Sequence, residues 1–186
     1  MTDPSPTLLW QPSDSMRNDS RIAHYRQWLT EQQGLQFADY HELWQWSVDQ
    51  PADFWESIWT YFNVKSYTPY REVMSADPMP KTRWFDGATL NYAEHLCRHK
   101  ADEQTAIIFQ SESQSLTRIN WQQLKREAGS LRTFLKKAGV ESGDRVVAYL
   151  PNIPEAITAF LATCSIGAVW SSCSPDFGSG SVADRF

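Results

Sequence analysis

Long apolar runs are missing from this sequence of 186 residues. No stretch approaches the roughly 20 residues that a membrane-spanning helix needs. The first fifteen residues contain neither the basic region nor the apolar segment of a secretory signal, so nothing in them predicts export. With a mean hydropathy of −0.51, the composition predicts a protein that neither crosses nor enters a membrane.

Positive charge and cysteine are also scarce. The net charge is −5, from 17 basic and 22 acidic residues, and no long basic cluster is present. Nucleic acids and anionic membrane surfaces are therefore excluded as expected partners. The three cysteines, Cys97, Cys164 and Cys173, are odd in number and contain no C-x-x-C spacing. That usage favours reduced thiols and a cytoplasmic location over a disulfide framework.

Tryptophan, by contrast, is abundant: the chain has nine, and six lie in the first third. Such a cluster suits a glycan or peptide platform, or the core of a small helical module. Periodicity favours the core. The periodicity predicts three helices: one over residues 17–33, a second that begins after an Asp39 cap, and a third that begins at Pro51. Their apolar stripes are Ile22, Tyr25 and Leu29 in the first helix, and Phe54, Trp55, Ile58, Trp59 and Phe62 in the third.

The pattern changes after a proline-containing stretch. Residues 105–110 and 115–120 read as the two strands of a hairpin, and Asn120 caps a long helix that Gly139 ends. Residues 144–150 form a strand whose continuous apolar run suits burial on both faces. A helix from Pro154 to Gly167 and a strand over 168–173 then complete a parallel βαβ unit.

The expected fold class is therefore α/β, with a helical N-terminal module before an α/β domain built on that parallel βαβ unit. We place the tryptophan-rich module at residues 1–63, a linker at 64–83 and the α/β domain at 84–186. The α/β domain reads as incomplete, because its last helix has barely begun at Phe186.

No complete active site can be assembled from these residues. The stretch 178–183 fits G-x-G-x-x-A, but four residues separate it from the preceding strand and no acidic residue follows about 20 positions on, as a dinucleotide site requires. We interpret it as a turn in which Ser181 caps the last helix, with Asp184 at the third position. His95 and His99 are spaced for one helix face, yet no further metal ligand accompanies them.

Three segments in fixed order carry a resemblance. LQFADYHELWQWSVDQPADFWESIW, RWFDGATLNYAEHL and GVESGDRVVAYLPNIPEAITAFLATCSIGAVWSSCSPDFG resemble the opening of acyl-CoA synthetases of the adenylate-forming superfamily. WSVDQPADFW and WSSCSPDFG are most similar to the acetoacetyl-CoA synthetases, with acetyl- and propionyl-CoA synthetases as close alternatives. The resemblance implies an acid–thiol ligase that uses acetoacetate, ATP, Mg²⁺ and CoA through an acyl-adenylate.

The resemblance further implies a phosphate loop, an acidic ribose ligand and a catalytic lysine, and no matching stretch occurs here. We therefore expect an N-terminal part of such an enzyme, inactive alone, on which the rest of the polypeptide packs. The resemblance also implies one set of site residues. In the acetyl-CoA relatives the segment after the equivalent strand lies near the CoA nucleotide, so Pro175, Asp176, Phe177 and Gly178 are the expected CoA-facing residues. The alternative is a non-catalytic module whose aromatic face binds a peptide or glycan.

Overall fold

The computed structural model describes residues 9–186, which divide into two compact units. The first unit contains residues 9–64 and 69–88, and the second contains residues 65–68 and 89–186. Residues 1–8 of the predicted tryptophan-rich module lie outside the described residues. The predicted domain limits at residues 63 and 84 stay a prediction.

Four helices form most of the first unit: α1 (Asp14–Asn18), α2 (Arg21–Gln33), α3 (Tyr40–Asp49) and α4 (Pro51–Tyr61). The predicted cap of α3 is confirmed. The Asp39 carboxylate accepts a hydrogen bond from the Glu42 backbone N–H at 3.0 Å, and the Glu42 carboxylate accepts from the Ala38 N–H at 2.6 Å. Gly34 ends α2 in the left-handed conformation, with φ of 67°. These local signals fix where the helices begin and end.

The core of this unit is aromatic. Its buried members are Tyr25, Leu29, Leu43 and Trp46, and its half-buried members are Trp28, Leu35, Phe37, Phe54, Ile58 and Tyr61. The hydroxyls of Tyr25 and Ser57 lie 2.5 Å apart inside it, and the Ser57 hydroxyl donates to the Phe54 carbonyl. The polar atoms of the buried phenol are therefore satisfied. The packing role predicted for the tryptophans is confirmed for Trp28 and Trp46.

Three predicted core positions are wrong. Ile22 is 43% exposed, Trp55 44% and Phe62 57%. Ile22 lies in the first turn of α2, and the buried residues of that helix begin one turn later. On α4 the stripe that faces the core is narrower than predicted, because Phe54, Ile58 and Tyr61 fill it.

A short antiparallel pair also belongs to the first unit. Strand β1 (Glu72–Met74) pairs with β2 (Trp84–Asp86), and Glu72 lies opposite Asp86. The Trp59 ring of α4 stacks on Phe85, with ring centres 4.4 Å apart. The extended stretch predicted as a linker therefore contributes a strand to a folded unit.

The second unit alternates helices and strands. Its elements are α5 (Tyr92–Cys97), β3 (Thr105–Phe109), β4 (Thr117–Asn120), α6 (Trp121–Lys137), β5 (Arg145–Tyr149), α7 (Pro154–Ile166), β6 (Val169–Cys173) and α8 (Ser179–Arg185). Strands β3 and β4 form the predicted antiparallel hairpin. Strands β5 and β6 are parallel and joined through α7, which confirms the predicted βαβ unit.

Helices α5, α6 and α7 meet in the core of this unit. Ala93, Leu124 and Leu161 are its buried residues, 4%, 2% and 2% exposed. Asn120 caps α6 as predicted, because its side-chain oxygen accepts from the Gln123 N–H at 2.8 Å. Ile157 of α7 is 41% exposed and lies outside this core.

The prediction that strand β5 is buried on both faces is also wrong. Exposure alternates along it, with Val147 48% and Tyr149 51% exposed while Val146 and Ala148 are half-buried. Successive side chains of a strand point to opposite faces. Among the described residues, β5 pairs only with β6. Within residues 9–186, none of the helices combines the length and apolar character needed to span a bilayer.

Candidate functional site

The expected CoA-facing residues lie where β6 ends. Cys173 is the last residue of the strand, and Gly178 is the N-cap of α8. Between them the chain turns, and the Phe177 N–H donates to the Ser174 carbonyl at 3.1 Å. The structure therefore places Pro175, Asp176, Phe177 and Gly178 together at the carboxyl end of a parallel strand, the edge where open α/β sheets bind ligands.

Tyr149, the last residue of β5, holds this turn. Its hydroxyl lies 2.8 Å from the Pro175 carbonyl oxygen and 2.9 Å from that of Phe177. One phenolic proton shared between two carbonyls ties the neighbouring strand to the segment. Sequence reasoning missed Tyr149, and the available signal was that it ends a strand parallel to β6 in the same βαβ unit.

Two side chains of the segment have defined partners. The Phe177 ring is 37% exposed, and the Arg185 guanidinium carbon lies 4.8 Å from its centre. That distance is typical of a cation–π contact. The Asp176 carboxylate accepts a hydrogen bond from the Ser174 hydroxyl at 2.8 Å. The segment thus offers one aromatic surface beside a carboxylate.

Ser181 does not cap the last helix, so that prediction is wrong. Helix α8 begins at Ser179, and its cap residue Gly178 makes no side-chain hydrogen bond. The helix begins two residues earlier than the Ser181 signal indicated, because the extended backbone of Gly178 (φ −64°, ψ 154°) already changes the chain direction. The residues that fit G-x-G-x-x-A are a helix start rather than a loop that wraps a phosphate.

A second group of polar residues lies around the first turn of α5. The Glu94 carboxylate accepts hydrogen bonds from the Lys65 ammonium and the Tyr67 hydroxyl. The hydrogen bond from Lys65 lowers the pKa of Glu94 most, and the one from Tyr67 lowers it next. The same contacts with Glu94 raise the pKa of Lys65 and of Tyr67. Asn91 orients the turn, since its side-chain oxygen accepts from the Glu94 N–H at 3.1 Å. No sequence pattern signals these contacts, because they join residues 27 and 29 positions apart.

The two histidines considered as metal ligands are separated by the end of their helix. His95 lies in α5, whereas His99 follows it with a positive φ of 54°. Burial lowers the pKa of His95. Burial also raises the pKa of the Cys97 and Cys164 thiols. Across the part of the chain that the structure describes, no group of three histidine, cysteine or acidic residues could hold a metal ion.

Two family models match this chain. The family described as "AMP-binding enzyme" matches residues 93–186, and "Acetyl-coenzyme A synthetase N-terminus" matches residues 40–96. Among curated relatives, the acetoacetyl-coenzyme A synthetase of Rhizobium meliloti (strain 1021) is 39% identical over 178 residues. The acetoacetyl-CoA synthetase of Gallus gallus is 40% identical over 182 residues. Each alignment covers 96% of this chain and 27% of the relative.

A solved structure shows the same likeness in three dimensions. The acetoacetyl-CoA synthetase from Streptomyces lividans is 42% identical, with a TM-score of 0.88 over 97% of this chain and 28% of that one. The likeness therefore includes both the helical unit and the α/β unit. The chain spans about 27% of the length of the curated relatives it matches.

Proposed function

This chain belongs to the family of AMP-binding enzymes, and on that premise we propose that it forms part of a ligase that joins acetoacetate to coenzyme A with ATP. The observation that carries the proposal is the likeness to acetoacetyl-CoA synthetases over 96% of the chain. A common architecture alone would not support a substrate. Here the relatives that match across both units share one substrate in their names.

The proposed reaction has two steps. An acetoacetate oxygen attacks the α-phosphorus of ATP, and pyrophosphate leaves with the electron pair of the broken P–O bond. The CoA thiol then gives up its proton, its sulfur attacks the acyl carbon, and AMP departs. Activation is required because a carboxylate is a poor electrophile, whereas AMP is a good leaving group. Stabilising the charge on the phosphates is the electrostatic part of such catalysis.

The residues described here fit part of this machinery. The exposed Phe177 ring suits stacking on the adenine of CoA, since base–aromatic stacking needs only an open aromatic face. The Asp176 carboxylate and the Arg185 guanidinium both lie near this segment, so its charges favour neither sign. We therefore propose that residues 175–178 face CoA and contact its base through the Phe177 ring.

Magnesium would supply charge neutralisation at the ATP phosphates. Residues 9–186 bring together no set of metal ligands, so they do not fit a magnesium site and we assign the ion no residue here. For the same reason, together with the missing phosphate loop and lysine, we expect the 186-residue chain to be inactive alone.

We also propose that the remaining length of the protein packs on the second unit. Val147, Tyr149 and Val169 are each about half exposed on the parallel strand pair, at 48%, 51% and 52%. Burying these apolar side chains would stabilise the protein by roughly 25 cal/mol for each Å² removed from water.

The substrate claim is tested by the complete protein that contains this chain. Its rate of CoA consumption per enzyme should be measured with acetoacetate, acetate and propionate at equal concentration. The proposal expects kcat/KM for acetoacetate to exceed the other two. Equal values would remove acetoacetate as the substrate while leaving the class of acyl-CoA ligase intact.

The CoA-facing segment is tested by Phe177→Ala in the same complete protein. Losing one stacking surface should raise the KM for CoA by roughly tenfold, a typical loss for one stacked base. The adenylation half-reaction, measured without CoA, should keep its rate. Phe134→Ala is the matched control, since Phe134 is 64% exposed on α6 and should change neither value. An unaltered KM for CoA in Phe177→Ala would contradict the assignment.

A further inference from the structure

From a cavity in the second unit we infer a binding site for a small carboxylate that carries a short apolar chain. The cavity has a volume of about 380 Å³ and is lined by residues of α5, α6 and α7 together with Tyr67. That volume lies in the range of small-molecule sites. None of its lining residues belongs to the 174–178 turn, so the inference stands apart from the proposed CoA contacts.

The inner surface of the cavity is apolar. Ala93 and Leu161 lie there, only 4% and 2% exposed, and Ala128 packs against the same cluster. The polar side chains nearby are already satisfied: the Asn91 amide donates to the Cys164 carbonyl at 2.9 Å, and the Ser165 hydroxyl donates to the Ala162 carbonyl at 2.6 Å. An aliphatic chain could therefore enter without stranding a buried donor or acceptor.

Gly129 forms an open part of the wall. It lies in the middle of α6, where glycine costs roughly 1 kcal/mol of helix stability relative to alanine. A Cβ atom placed on it would meet no atom within 4 Å. No neighbour among the described residues therefore requires glycine here, and the space beside the helix is open to a ligand.

The charges around the cavity leave one cation available. Lys65 and Tyr67 already hold the Glu94 carboxylate. Lys125 donates to the Lys100 carbonyl at 3.0 Å and to the Asp102 carboxylate at 3.1 Å. Arg132 also lines the cavity, and no hydrogen bond or ion pair joins it to another residue within 9–186.

Arg132 determines the chemistry of the ligand. A guanidinium presents parallel N–H donors that match the two oxygens of a carboxylate. One uncompensated cation beside an apolar inner surface fits a monoanion with a short aliphatic tail. Inorganic phosphate would pair with Arg132 but leave the apolar surface uncovered. A neutral amide would cover the apolar surface but leave Arg132 without an anion.

Cys97 gives the test a local readout, because its thiol lines the cavity whereas Cys164 does not. The 186-residue chain is treated with iodoacetamide at fixed pH, and alkylation of each cysteine is followed by peptide mass spectrometry. The probe is hexanoate, for which we expect a millimolar Kd. At ten times Kd, alkylation of Cys97 should slow about elevenfold by mass action. Alkylation of Cys164 should keep its rate.

Comparison ligands and variants separate the two parts of the site. Hexanamide and inorganic phosphate at the same concentration should each protect Cys97 less than hexanoate. Arg132→Gln should raise the Kd for hexanoate roughly tenfold, as loss of a charge-assisted bond does, so protection at the same concentration should fall from about elevenfold to about twofold. Arg126→Gln, on the same helix and outside the cavity, should change nothing. Gly129→Leu should remove protection by filling the space, with Ser130→Leu as its control.

Three results would overturn the inference. The first is an unchanged rate of Cys97 alkylation in 50 mM hexanoate, roughly ten times a Kd of about 5 mM. The second is protection of Arg132→Gln equal to that of the parent chain. The third is full protection in a Gly129→Leu variant that circular dichroism shows to be folded.

Discussion

The hydroxyl of Thr163 leads to a prediction that inverts the usual effect of a core mutation. Thr163 lies in α7 with no exposed surface, and its Oγ1 has no hydrogen-bond partner among the described residues. A buried hydroxyl without a partner costs roughly 1–3 kcal/mol, because it has given up its bonds to water. Thr163→Val replaces that hydroxyl by a methyl group of similar size and keeps the β-branch that fixes χ1.

We therefore expect Thr163→Val to stabilise the second unit by about 1–2 kcal/mol. Because the chain has two compact units, the measurement must report on this unit alone. Native-state amide hydrogen exchange of the 154–166 peptide does so, and a gain of that size slows its exchange about five- to thirtyfold.

Two further variants of α7 control this result. Thr163→Ser keeps the hydroxyl and removes the methyl group, so it should speed exchange. Thr158→Val makes the same chemical change at a half-buried site where water can reach the hydroxyl, and should have little effect. Faster exchange in Thr163→Val than in the parent would mean that the hydroxyl has a stabilising partner, contrary to this prediction.

Two other predictions concern the second unit. Gly167→Ala should destabilise it by about 2–3 kcal/mol, because φ is +85° and the new Cβ would lie 2.7 Å from the Ser142 hydroxyl oxygen; amide hydrogen exchange of the 154–166 peptide checks this. Glu94→Gln should lower stability at neutral pH, because the pKa of Glu94 is lowered in the folded state. That contribution is complete above the ordinary carboxyl pKa of 4.5 and is lost as pH falls through the folded pKa. Urea midpoints of parent and variant, read from a probe within the second unit, should therefore converge on acidification.

The glycine prediction has a control within the chain. Gly139→Ala has a similar φ of +91° with open space around the new Cβ, so it should cost only the backbone strain and less than Gly167→Ala. Equal losses at the two glycines would contradict the role of the Ser142 contact. For Glu94, a constant gap between the two midpoints from pH 7 to pH 3 would show that the carboxylate contributes nothing through Lys65 and Tyr67.

Local signals explain what the sequence could predict of the fold. Asp39, Asn120 and Gly34 mark helix ends through contacts within a few residues, so their roles can be read from spacing alone. The parallel βαβ unit follows from the order strand, helix, strand with short links. The start of α8 could not be predicted in this way, because the backbone conformation of Gly178 turns the chain there without a side-chain cap.

Contacts between residues that are distant in the sequence explain which parts of the fold and of the site the sequence could not predict. Strands β1 and β2 are three residues each, too short to show alternation, and they pair across an intervening loop. Glu94 meets Lys65 across 29 positions, and Tyr149 meets Phe177 across 28. The exposed face of β5 was missed because an apolar run shows that a strand can be buried but not what covers it.

The claim that this chain serves an acetoacetate-activating ligase is tested most directly by isotope exchange. The complete protein is incubated with ATP, magnesium and labelled pyrophosphate, without CoA, and label entering ATP is measured with each acid. We expect exchange that requires an acid and is faster with acetoacetate than with acetate or propionate. Exchange that fails with every acid until CoA is added would contradict an acyl-adenylate formed in the first step, and with it the proposed function.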